Sequence, residues 1–147
     1  MRTITIINLY AACSLLMLVG ATSADPIQDE RSARDECSAY SQAGMRDCLE
    51  KKLRESEKSL KQAEDNANSA LCKWDEDAKQ VSAAKNKLKS ANTNYVRYRD
   101  SQCAFAASLG GGAIGNALEI RRIACVAELN NRRATQLRSA VAELPIR

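Results

Sequence analysis

The chain has 147 residues, 22 basic and 18 acidic side chains, six cysteines and no histidine, for a formal net charge of +4. That length fits one domain. Without histidine, Ser-His-Asp and Cys-His sites are excluded, and so is the usual neutral-pH general base. A small net charge, with acids and bases interleaved along the chain, gives little pull toward nucleic acid and is the pattern of solvated helix faces.

Residues 1–24 read as a secretory signal peptide. Arg2 supplies the positive start, Ile4 to Val19 is mostly apolar, and Thr22-Ser23-Ala24 offers small residues for a peptidase. The apolar stretch is too short and too interrupted for a membrane span. Tyr10-Ala11-Ala12-Cys13 loosely resembles a lipidation site, but the apolar run that should precede such a cysteine follows it. The expectation is a mature chain of residues 25–147, periplasmic or secreted, cut near Ala24. Cleavage removes Arg2 and no acid, so the mature chain stays slightly basic.

Asp25 to Arg34 is polar and charged and reads as a loose mature N-terminus. A short helix is predicted from Ala33 to Gly44. Between Met45 and Leu109 there is neither Gly nor Pro, and heptad spacing runs through most of the stretch. One row is Leu53, Leu60, Ala67, Trp74, Val81, Leu88 and Tyr95. Its companion is Leu49, Ser56, Ala63, Ala70, Asp77, Ala84, Ala91 and Tyr98. Alternating steps of three and four place both rows on one helix face. The reading favours one continuous helix, with a hairpin as the alternative and Asp65 to Ser69 as the weakest place.

Gly110-Gly111-Gly112 then opens a turn. A last helix is predicted from about Ile114 to Leu144, ahead of Pro145. Its seam is Ala117, Ile120, Ala124, Ala127, Asn130, Ala134, Leu137, Val141 and Leu144, with Asn130 as the polar interruption. The fold class is all-α: an elongated antiparallel helical hairpin or bundle with a short N-terminal helix, in which the last helix folds back, antiparallel, on the second half of the long stretch. Alanine-rich seams make a thin core, and such a core needs staples.

Cys37, Cys48, Cys72, Cys103 and Cys125 remain after cleavage, and an oxidising compartment favours their pairing. Cys103 and Cys125 flank the glycine turn, and Cys37 and Cys48 flank Gly44. These local pairs are preferred, although the sequence leaves other pairings open. Closing the Cys103–Cys125 loop stabilises by roughly 3 kcal/mol. Cys72 is left over, either as a free surface thiol or as the bridge of a homodimer. With no Cys-x-x-Cys pair and no histidine, neither a metal site nor a cofactor is expected.

Two segments carry a likeness. Cys37 to Cys48, CSAYSQAGMRDC, and Ala91 to Cys103, ANTNYVRYRDSQC, resemble the N-terminal domain of the LprI-type lysozyme inhibitors, a family of small exported bacterial proteins. Gly111-Gly112, Cys125, Leu129, Arg133 and Leu137 follow at the family's spacing, while Asn92 and Tyr95 stand where its pattern carries Gln and Trp. The resemblance implies a helical fold, the two local disulfides, an envelope or secreted location, and inhibition of a lysozyme.

Arg99 and Asp100 are either a partner-facing pair or a salt bridge that fixes the helix beside Cys103, and the second is preferred. Tyr95, Tyr98 and Trp74 are expected in the core. Arg121, Arg122, Arg132, Arg133 and Arg138 crowd one helix as a solvated face or, alternatively, as a binding patch. Arg99, Asp100, Arg121, Arg122 and Arg133 are therefore the candidate partner-binding residues. Two acids alone can hydrolyse glycosides. Here acids such as Asp65, Glu76 and Asp77 have helix-surface spacing, and the expected function is binding rather than catalysis. The partner is a lysozyme or related peptidoglycan hydrolase. The alternatives are an envelope interaction module, for which an acidic partner or anionic surface fits the charge, or an immunity-type protein that neutralises a toxin.

Overall fold

The structure is a computed structural model and describes residues 30–112 and 116–147. The expected signal peptide, Cys13 and the first part of the expected mature N-terminus lie outside the described residues. Four helices follow in order: α1 (Glu30–Cys37), α2 (Gln42–Lys73), α3 (Ala78–Ser108) and α4 (Ala117–Ala142). No strand occurs among the described residues.

The first helix starts earlier and ends earlier than the sequence suggested. It stops at Cys37, and Gly44 lies in the first turn of α2 instead of terminating α1. Ser41 explains the shift. Its Oγ accepts a hydrogen bond from the Gly44 N–H at 3.3 Å and so caps α2. A Cβ on Gly44 would sit 3.0 Å from the Tyr40 Cβ, so a larger residue there would push Tyr40 aside by a few tenths of an ångström.

The long stretch is not one helix. It breaks at residues 74–77, and the hairpin alternative holds. Asp77 caps α3, its Oδ1 accepting from the Gln80 N–H at 2.8 Å. The chain's own C-terminus fills the break. The Asp75 N–H donates to the Pro145 carbonyl at 2.9 Å, and the Arg147 N–H donates to the Lys73 carbonyl at 2.9 Å. Trp74 and Ile146 form an isolated antiparallel bridge, and Arg147 Nε reaches Asp75 at 2.8 Å. Backbone groups that a helix end leaves unpaired are thereby satisfied. Trp74 is half-buried in this turn instead of lying in the core. The Asp65–Ser69 stretch stays helical despite its composition, because Ala63 and Ala67 pack against Ala134 and Leu137 of α4. Packing outweighs propensity there.

The helices run up, down and up. Cys103 is bonded to Cys125, and Tyr95 reaches Asn130, so α3 and α4 are antiparallel. Ser56 meets Asn130, and Ser59 meets Arg138, so α2 and α4 are parallel. α1 lies alongside the first halves of α2 and α4, tied to α2 by the Cys37–Cys48 disulfide. Ala33 and Cys37 of α1 join Leu49 of α2 and Ile120, Ile123 and Ala124 of α4 in one buried cluster.

α4 is the central helix. The predicted seam is buried at Ile120, Ala124, Ala127, Asn130, Ala134 and Leu137, and burial extends without a gap from Ile123 to Asn130. Contact with α1, α2 and α3 together closes both sides of the helix, which one predicted seam did not cover. α3 is the opposite case: between Ala78 and Gln102 none of its residues is fully buried.

Candidate functional site

The second half of α3 carries the residues with chemistry to offer, and one phase shift decides which of them face in. The predicted companion row was Ala84, Ala91 and Tyr98. In the structure Asn92 and Arg99 turn toward α4, while Ala91 and Tyr98 are exposed. α3 begins at its own cap, Asp77, so its phase is independent of α2. The expectation that Tyr98 is core is therefore corrected: it is 54% exposed.

What Asn92 and Arg99 meet is a polar network through the bundle's middle. Asn130 of α4 is fully buried at 0% exposure. Its Nδ2 donates to the Ser56 hydroxyl of α2 at 3.2 Å. Its Oδ1 accepts from the Tyr95 hydroxyl at 3.2 Å and from Arg99 Nη1 at 3.2 Å. Arg99 also donates to Asp100 Oδ1, from Nε at 2.9 Å and from Nη2 at 2.8 Å. Arg133 Nη2 donates to Asn92 Oδ1 at 3.0 Å, and the Arg133 guanidinium stands 5.7 Å from the Tyr95 ring centroid. Both lone-pair directions of the buried amide oxygen are used, which is what burial of such a group requires. Burial pushes the Tyr95 phenol from 10.0 up to about 12, against the opposing pull of Arg99 and Arg133.

The candidate partner-binding residues thus divide. Arg99 and Arg133 turn inward and join α3 to α4. Asp100 stays exposed and holds Arg99 from outside. Arg122 donates to Glu119 twice, from Nε at 2.8 Å and from Nη2 at 2.6 Å. That pairing is the first cause of the lowered Glu119 carboxyl and of the raised Arg122. Arg132 pairs with Glu128, and Arg138 donates to the Ser59 hydroxyl at 2.7 Å. Arg121 has no ion pair among the described residues and lines a shallow cleft with Arg31 and Arg34 of α1. The arginines of α4 are therefore not one patch.

Another cleft, of about 270 Å³, opens between α1, α2 and α4 and includes Glu55 and Glu128. Both acids are ion-paired, Glu128 with Arg132 and Glu55 with Lys51 at 3.9 Å. Cys72 is an exposed free thiol, with Lys85 Nζ 3.0 Å from its sulfur.

Sequence reasoning passed over an apolar stripe. Tyr98, Phe105 and Leu109 of α3 are 54%, 58% and 64% exposed. Their spacing of seven and four residues puts them on one helix face. Phe105 lies one heptad after Tyr98 and Leu109 two heptads after Tyr95, so both continue the predicted rows, and the phase that turns Tyr98 outward turns Phe105 outward with it.

No curated protein and no solved structure matches the chain significantly. The family model described as "Lysozyme inhibitor LprI" matches residues 33–137. That span runs from α1 through the last buried turn of α4 and includes both disulfides and the whole Asn130 network. The chain belongs to the LprI lysozyme-inhibitor family.

Proposed function

We propose that the mature chain, residues 25–147, is exported and inhibits a lysozyme or a related peptidoglycan hydrolase by protein–protein contact. The family match over residues 33–137 carries this reading. The architecture supports it. A binder gains affinity when its surface is ordered before contact, because less conformational entropy is then lost on association. Here disulfides tie α1 to α2 and α3 to α4, and the Asn130 network joins α2, α3 and α4.

Removal of residues 1–24 as a signal peptide belongs to the same reading, with the protein acting in the periplasm or outside the cell. No helix among the described residues is long and apolar enough to cross a membrane. The chain acts on its target by occupying it, not by chemistry of its own.

The test is lysis of cell-wall substrate by c-, g- and i-type lysozymes in the presence of purified oxidised protein. Dose-dependent slowing with at least one class is the expected result. No slowing with any class at large molar excess overturns the reading.

A further inference from the structure

The α3 stripe is the unexplained feature of this surface. The chain has a single Phe, and that residue is 58% exposed at position 105. Isolated apolar residues on a surface need no explanation. Three large ones aligned on one helix face, in a chain with so few aromatics, are a patch. From Tyr98 to Leu109 it extends roughly 16 Å along the helix axis.

The patch is held rigidly. Cys103 lies between Tyr98 and Phe105 and is bonded to Cys125 of α4. Just below, Tyr95 and Arg99 are fastened to the buried Asn130. Arg97 neighbours Tyr98, is exposed, and has no ion pair among the described residues. Aromatic side chains with a nearby arginine are the usual composition of the energetic centre of an interface.

We infer that the Tyr98–Phe105–Leu109 stripe, flanked by Arg97, is the surface that enters the substrate cleft of the target hydrolase. This rests on the inhibitor reading and names its contact site. The fit is chemical. A glycosidase cleft is built to hold an extended sugar chain and places two carboxyl groups at the scissile bond. A narrow apolar ridge can lie along such a groove, and an unpaired guanidinium beside it meets the carboxylates.

The full mature chain carrying Y98S, F105S and L109S tests this in the lysis assay, with hydrogen exchange of the unsubstituted chain as a second measurement. Inhibition should weaken by roughly 100-fold or more, since a few central contact residues carry most of an interface's binding energy. Glu57→Ser, on the exposed side of α2, should inhibit as the unsubstituted chain does. On addition of the inhibited lysozyme, amide protection should rise within residues 97–109. That reading decides the matter even if the triple variant fails to fold.

Four outcomes overturn the inference. Where the unsubstituted chain inhibits and the folded triple variant inhibits equally well, the stripe is not the contact site and the inhibitor reading survives. Protection elsewhere with none at 97–109 has the same meaning. If sedimentation shows the unsubstituted chain self-associating through the stripe and the triple variant monomeric, a second copy is the occupant. If the unsubstituted chain slows no lysozyme, the inference falls together with the inhibitor reading.

Discussion

α4 and α3 have similar lengths and opposite roles. α4 is buried continuously from Ile123 to Asn130 and touches every other helix, whereas α3 between Ala78 and Gln102 has no fully buried residue. α4 meets α2 through small residues, with Ala63 and Ala67 facing Ala134, so the two backbones approach closely. α3 has a smaller apolar contact, chiefly Cys103 and Ala106 against Val126 and Leu129, and is held as well by a disulfide and by the polar network around Asn130. A thin bundle can therefore separate its tasks: one helix organises the core, and another is fixed by a few strong ties and left to display its surface.

That contrast predicts graded effects. Leu49→Ala strikes the packed side, because Leu49 is fully buried between α1 and α4. It should cost about 2–5 kcal/mol in denaturant unfolding. Replacing Cys103 and Cys125 together by serine should cost roughly 3 kcal/mol, and hydrogen exchange should speed up more in α3 than in α2. Asn130→Ala leaves the Ser56 and Tyr95 hydroxyls and Arg99 without their shared partner. About 1–3 kcal/mol should be lost.

A smaller effect lies in alkali. The folded state holds the Tyr95 phenol at about 12, against 10.0 for the free group. The unfolded chain therefore gives up this proton first. The stability it contributes is intact below pH 10 and is lost as pH rises toward 12. Tyr95→Phe should flatten that part of the alkaline unfolding curve. The smallest effect belongs to the displayed side: Tyr98→Ser should change stability by no more than about 0.5 kcal/mol.

Much of this bundle was legible in the sequence. Periodicity alone placed Leu49, Leu60, Ala63 and Ala67 on the buried face of α2, and Ile120, Ala124, Ala127 and Ala134 on that of α4. The break at residues 74–77 was only partly legible: Asp77 is a local cap signal, but the partners that complete the turn, Pro145, Ile146 and Arg147, lie some seventy residues away. A propensity scan sees only neighbours and pointed to Asp65–Ser69.

The phase of α3 was hidden for a different reason. Hydrophobicity favours Ala91 and Tyr98 as the inward row, yet the buried amide of Asn130 needs hydrogen-bond donors, and Arg99 and Tyr95 supply them. Two signs were present, Ser56 and Asn130, each polar within an otherwise apolar seam. Two polar residues facing one another inside a bundle call for further partners, and following that requirement would have turned Arg99 inward and Tyr98 outward.

Native-state hydrogen exchange of the oxidised protein tests this division of roles most directly. Amides from Ile123 to Asn130 should exchange only through global unfolding, and those of α3 between Ala78 and Gln102 through smaller, local openings. Equal protection along both helices, or α3 slower than α4, would contradict the account.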